Sequence, residues 1–176
     1  MLVSCSNKDK SEAKNQAQEP VQEQSQSEVF VFDKITPLNR KVANELRDWF
    51  DYNEMKNNVE RYQETSKMEA LMNAHDLYDA ISKASDTISI PFLDKPEIKI
   101  RFNVMYNSAK RLDDMSTISS ITSEEVKHEI GNMIEAYSSL NDKINALYTL
   151  RDYREELGIK DTLSIEELTK IEIDSI

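Results

Sequence analysis

Residues 122–147 read TSEEVKHEIGNMIEAYSSLNDKINAL, and the apolar spacing within them decides the fold. Val126, Ile130, Met133, Tyr137, Leu140, Ile144 and Leu147 follow one another at alternating steps of four and three residues. A helix turns once in about 3.6 residues, so this rhythm gathers all of these side chains on one stripe. A seam of that kind packs nearly parallel or antiparallel to its neighbours. Thr122 and Glu125 form the two halves of a capping box, the threonine accepting from the glutamate's amide while the carboxylate reaches back to the threonine's N–H. The helix is therefore predicted to start at Thr122. Its predicted end is Leu157-Gly158-Ile159, where a glycine can close the last turn and an apolar residue follows. Ser164-Ile165-Glu166-Glu167 then suits the start of one short terminal helix.

The same reading extends upstream. Asp113–Ile121 is a linker. Before it, Ile98, Ile100, Phe102 and Val104 alternate as in a strand, but Ile98, Phe102, Met105, Ala109 and Leu112 fit a helix over a longer span, and Pro96 is placed to open it. Ser66-Lys67-Met68-Glu69 is a second capping box. After it Met68, Leu71, His75, Tyr78 and Ile81 share a stripe, widened by Leu77, Ala84 and Ile88, until Pro91 ends the segment. Thr36 as N-cap and Pro37 at the first helical position predict an earlier start, with Val42, Leu46, Trp49 and Phe50 on one face, continued by Val59 and Tyr62. No Gly or Pro separates 37–64 from 66–89, so two helices and one long bent helix both remain open. Val29-Phe30-Val31-Phe32 is too short for a helix by itself and is expected to pack as an extended arm.

Composition agrees with helices. The 176 residues include only 2 Gly and 4 Pro, too few turn formers for a sandwich or barrel. Charged residues make up 31 %, with Leu, Ile, Met and Ala recurring among them. The expected class is all-α: an elongated bundle of three to four long antiparallel helices over residues 29–176, after a disordered polar tether over residues 1–28. The net charge is -11 and no run of Lys or Arg occurs, so a phosphate backbone would be repelled and nucleic acid is not expected as a partner.

The first residues, Met1-Leu2-Val3-Ser4-Cys5, resemble the lipobox of bacterial lipoproteins. Leu2 supplies the aliphatic position, Ser4 the small residue, and Cys5 the thiol that becomes acylated. Only four residues precede Cys5, so a signal segment with a basic start and an apolar run of about 7–15 residues is expected upstream in the gene. Residues 6–28 have Val21 as their one bulky apolar side chain and are rich in Gln, Ser, Glu and Lys, which cannot bury enough surface to fold. As a flexible chain they would span roughly 30 Å on average and about 80 Å stretched. There is one cysteine, so no disulfide forms within the chain.

Catalytic patterns are missing. The two glycines, Gly131 and Gly158, are too few for phosphate-binding loops, and no serine lies in a nucleophile turn. Glu125-Val126-Lys127-His128 is half of a di-iron helix signature, but His128 falls midway between the seam residues Val126 and Ile130 and so points outward; no second copy exists. Paired carboxylates such as Asp113-Asp114 and Glu166-Glu167 read as solvated faces. His75 lies on an apolar stripe and reads as a core-edge histidine; a ligand role for it is the alternative. Trp49-Phe50, Tyr52, Tyr106, Tyr137, Tyr148 and Tyr153 are bulky anchors, and any left exposed would suit a partner.

Pro96 to Tyr148 resembles a group of uncharacterised helical lipoproteins of Bacteroidota. The resemblance rests on Arg101-Phe102-Asn103-Val104-Met105-Tyr106, Arg111-Leu112-Asp113-Asp114-Met115, Ile121-Thr122-Ser123-Glu124-Glu125-Val126 and Leu140-Asn141-Asp142-Lys143-Ile144-Asn145, together with the lipobox and tether. It covers about a third of the chain and implies a membrane-anchored helical protein on the periplasmic side of a bacterial membrane, the outer membrane being the expected one; it brings no catalytic residues. The expected function is a non-catalytic protein-binding or structural module, lipidated at Cys5, with His75, Trp49 and Tyr106 as candidate contacts, a protein partner, and no cofactor or metal. A small-molecule- or metal-binding bundle and an enzyme are the alternatives.

Overall fold

The computed structural model describes residues 28–33 and 35–158. In chain order these form β1 (Val29–Val31), α1 (Arg40–Glu45), α2 (Phe50–Glu60), a single 3-10 turn, β2 (Glu64–Ser66), α3 (Lys67–Met72), α4 (Ala74–Asp86), a second 3-10 turn, α5 (Pro96–Met115) and α6 (Ser123–Glu156). The protein is mostly helical, as expected. Two departures matter. Only α5 and α6 are long, at 20 and 34 residues. And the class is not purely α, because β1 and β2 pair antiparallel with Phe30 opposite Thr65.

The long helices follow the sequence closely. At the start of α6 both halves of the capping box are made: the Glu125 amide donates to Thr122 Oγ1 at 3.2 Å, and the Thr122 amide donates to the Glu125 carboxylate at 2.9 Å. Every seam residue from Val126 to Leu147 is buried. At the far end Gly158 takes φ 67°, the left-handed conformation that closes a helix; Ile159 and the terminal helix expected after Ser164 lie outside the described residues. Residues 96–115 are helical rather than a strand, with Ile98, Phe102, Met105, Ala109 and Leu112 inward. Contacts pair Glu97 with Lys143, Arg101 with Ser139 and Arg111 with Glu129. Partner numbers fall as α5 advances, so α5 and α6 are antiparallel.

The region before Pro91 departs further from expectation, and asparagines are the cause. Thr36 and Pro37 do not start a helix. Their carbonyls accept instead from the side-chain amides of Asn141 and Asn145 on α6, at 2.8 and 3.0 Å, and the chain stays extended until Arg40. Asn53 then donates to the carbonyls of Leu46, Arg47 and Trp49, satisfying the end of α1 and ending that helix. Residues 37–60 are thus an extended segment and two helices, and 61–64 hold the 3-10 turn and the first residue of β2. Asn73 plays the same part between α3 and α4, its amide donating to Glu69 O at 2.8 Å. The expected arm is present: Phe30 is 1 % exposed while Val29 and Val31 face solvent, the alternation a strand imposes.

One ion pair in the α5–α6 interface is half hidden. Glu129 is nearly buried and accepts from Arg111 at 2.7 Å, while solvent reaches about half of that guanidinium. Burial pushes the Glu129 carboxyl up, but the bonds from Arg111 and Ser108 outweigh it and hold the carboxyl below its ordinary value of 4.5. A depressed carboxyl stabilises the fold above its unfolded value, and that contribution is lost as pH falls through the folded value. Arg111→Met leaves the carboxylate buried without its cation, and burial then raises its pKa. The variant should lose about 2 kcal/mol at pH 7, less than a fully buried pair would cost because Arg111 is half solvated. The gap from wild type should shrink as pH falls from the variant's raised carboxyl value, above 4.5, down through the wild type's depressed one. Urea unfolding at a series of pH values measures this; a gap that does not change with pH refutes it.

Candidate functional site

The site grows from the junction of β2 with α3. Ser66 ends the strand and caps the helix, accepting from the Glu69 amide at 3.2 Å. The next residue, Lys67, sends its ammonium across to the carbonyl of Ile121. That bond ties α3 to the loop 116–122. The loop is itself wound onto the end of α5, where Ser116 and Thr117 hydroxyls donate to the Asp113 and Asp114 carbonyls at 2.6 and 2.8 Å. Between α3 and the loop lies a groove of about 880 Å³.

The groove is apolar. Met68 and Met72 stand one turn apart on its helical wall and are 66 % and 76 % exposed. Leu71 lies between them, and Ile118 and Ile121 form the opposite wall. Apolar side chains gathered this way on a surface mark an interaction site more often than scattered ones do. Methionine suits such a place, because its unbranched thioether adapts to different shapes. Glu28, the first described residue, lines the groove as well. Lys67 is the other charged residue on its lining.

Beside the groove, α4 and α5 carry a polar cluster. His75 is not at the core edge: its side chain is 67 % exposed, with Nδ1 3.4 Å from Asp113 and Nε2 3.7 Å from Asp79. Ala74, Leu77, Ala80, Ile81 and Ala84 of α4 face inward and continue the buried Ala70 of α3, so the buried face runs beside the stripe read through Met68 and His75. Tyr106 is half-buried and meets Tyr78, hydroxyl to hydroxyl, at 2.8 Å. That shared bond holds the Tyr78 phenol above its usual value of 10.0. Lys110 lies over the Tyr78 ring and bonds Asp114 and Asp113, which raises the ammonium's pKa, the Asp114 bond most. These groups brace two helices. Among the described residues no group of three His, Cys, Asp or Glu side chains could hold a metal.

The remaining candidates fall elsewhere. Trp49 is 1 % exposed, packed against Tyr52 and Phe102, so it belongs to the core and not to a contact surface. Phe50, beside it, is the exposed one. His128 points outward, as its phase requires. Cys5 lies outside the described residues. The groove methionines were the residues missed: Met68 reads as part of an apolar stripe, but the buried face runs through the smaller Ala70 and Ala74.

No protein-family model matches the chain, and no curated protein or solved structure matches it either.

If the Tyr78–Tyr106 pair braces α4 on α5, Tyr106→Phe should cost about 1 kcal/mol, the value of one hydrogen bond. His75→Ala, at an exposed site, should stay within about 0.5 kcal/mol of wild type. Thermal and urea unfolding of both variants check the contrast; equal losses would show that the cluster does not work as a brace.

Proposed function

We propose that this chain is a membrane-anchored lipoprotein of a bacterial envelope, held by acyl chains on Cys5, and that its folded part is a non-catalytic module that binds a protein partner. In this reading the core is carried by a bundle of four helices, α2, α4, α5 and α6, with α1 and α3 as short flanks. The anchored reading rests on Leu2, Ser4, Cys5 and the polar stretch that follows. The binding reading rests on one observation, the exposed methionine-lined groove.

The groove's chemistry describes its partner. An amphipathic helix buries one apolar stripe and keeps its flanks in water, which is how helices dock into methionine-rich grooves. The charged residues lining the groove are Glu28 and Lys67, so the partner's flanks carry groups of both signs. The groove lies next to the first described residue, and about 80 Å of extended chain would separate Cys5 from it at most. A partner held in the groove therefore stays within tens of ångströms of the bilayer.

Two experiments test the two halves separately. Met72→Lys places a charge in the groove at a site that is already exposed, so the unfolding temperature should stay within about 2 °C of wild type. Crosslinking of intact cells should then lose the partner that wild type captures. Retained capture by Met72→Lys refutes the groove. Cys5→Ser, in a gene with a signal segment upstream, should move the folded protein from the membrane to the soluble periplasmic fraction. One acyl chain binds reversibly while two or three hold durably. If Cys5→Ser remains with membranes after a salt wash, the lipid anchor is wrong, whatever becomes of the groove.

A further inference from the structure

Two exposed thioethers and an imidazole share one face of the path from α3 into α4. Met68, Met72 and His75 follow one another at steps of four and three. The bonds from Asn73 N–H to the Glu69 carbonyl and from Leu77 N–H to the Asn73 carbonyl keep that path helical between them. Residues so spaced fall within about 60° of the helix circumference. None of the three serves the core. The buried face is carried by Ala70, Ala74 and Leu77, while Met68 and Met72 stand in solvent and so does the His75 ring. Packing therefore does not account for methionine at these positions.

The surroundings of His75 leave one of its nitrogens to give. Nδ1 lies 3.4 Å from Asp113, whose carboxylate favours the tautomer with hydrogen on that nitrogen. Nε2 is 3.7 Å from Asp79, too far for a hydrogen bond, and keeps its lone pair. A ring oriented by a carboxylate at one nitrogen and open at the other is the usual state of a metal-binding histidine. The local charge also favours a cation. Asp79, Asp113 and Asp114 outnumber Lys110, which bonds the last two.

That donor set selects the ion. Thioethers are soft, uncharged ligands that suit copper(I) and serve magnesium or calcium poorly, and imidazole suits copper as well. We infer that Met72 and His75, with Met68 as a third donor, form a binding site for copper(I). Met72 and His75 are neighbours on the helix surface, where side chains three residues apart start about 5–6 Å from each other, so one ion bridges sulfur and nitrogen. Met68 reaches it from the preceding turn through the three rotatable bonds of its unbranched side chain. These donors are neutral and leave the ion its positive charge, which Asp79 and Asp113 offset. Harder ions find no equivalent here, since among the described residues no three His, Cys, Asp or Glu side chains gather for one. The site shares its methionines with the groove but needs neither a protein partner nor the lipid anchor.

Silver(I) shares the preference of copper(I) for soft donors and keeps its oxidation state in air, so it is the first probe. Every sample carries Cys5→Ser, because a thiolate would bind the ion by itself. Calorimetry of the full chain with silver nitrate in chloride-free buffer should show one saturable site, and copper(I) kept reduced by ascorbate should compete for it. In NMR spectra the ε-methyl signals of Met68 and Met72 should shift on saturation, while those of the buried Met55, Met105 and Met133 stay in place. Met72→Leu and His75→Ala should each weaken binding at least about tenfold. Both positions are exposed, so the unfolding temperature should stay within about 2 °C of wild type. Zinc(II) should bind at least about tenfold more weakly than silver(I). Leucine preserves the apolar groove, so the partner capture tested with Met72→Lys should persist in Met72→Leu, and the two readings fail separately. No saturable binding at about 100 μM silver(I) overturns the inference. So does binding that Met72→Leu or His75→Ala leaves unchanged, or zinc(II) that binds as tightly as silver(I).

Discussion

The rest of the molecule hangs on the face of α6 that looks inward. This helix is 34 residues long, and everything else packs on or against it in turn. Its seam closes on α5 along most of its length. Beside the seam, Asn141 and Asn145 reach sideways to the backbone of residues 36–39. Near its C-terminus Arg151 takes the Glu45 carboxylate in a bidentate bond, both contacts 2.9 Å, and stacks 4.3 Å over the ring of Tyr148. The guanidinium's flat fork makes that geometry possible, and a lysine would not reproduce it. Most of a protein helix's stability comes from packing its apolar face, so α6 persists by burying the seam.

That dependence sets where order is firm and where surfaces are free. α5 lies against the seam and inherits its rigidity. The extended segment of residues 35–39 is held differently, because side chains of α6 bind its main chain and not its side chains. Such bonds fix the path of a chain without demanding helix formers along it. They also explain how a segment opening with a helix-start signature stays extended: the carbonyls of Thr36 and Pro37 are already satisfied.

The long, regular elements were legible because a single periodicity governs them over many turns. The seam from Val126 to Leu147, the Thr122 box and the Gly158 closure all follow from spacing and backbone chemistry. The N-terminal half was not legible, and the reason is local competition. Asn53 and Asn73 end helices through side-chain bonds to carbonyls. A sequence pattern that looks for Gly and Pro as breakers passes over them. The stripe counted through Met68, Leu71 and His75 misleads for another reason: the buried face runs one residue aside, through Ala70, Ala74 and Leu77, and alanines give a weaker apolar signal than methionines.

α3 and α4 share one inward face. Ala70 of α3 leads at steps of four and three into Ala74, Leu77, Ile81 and Ala84 of α4, and the bonds from Asn73 N–H to the Glu69 carbonyl and from Leu77 N–H to the Asn73 carbonyl carry the helical path through the turn. Met68, Met72 and His75 therefore lie outside because the buried stripe runs through the small residues beside them, not because the turn rotates one helix against the other. That phase leaves Lys67 free to cross to Ile121 and hold the α5–α6 loop as a facing wall.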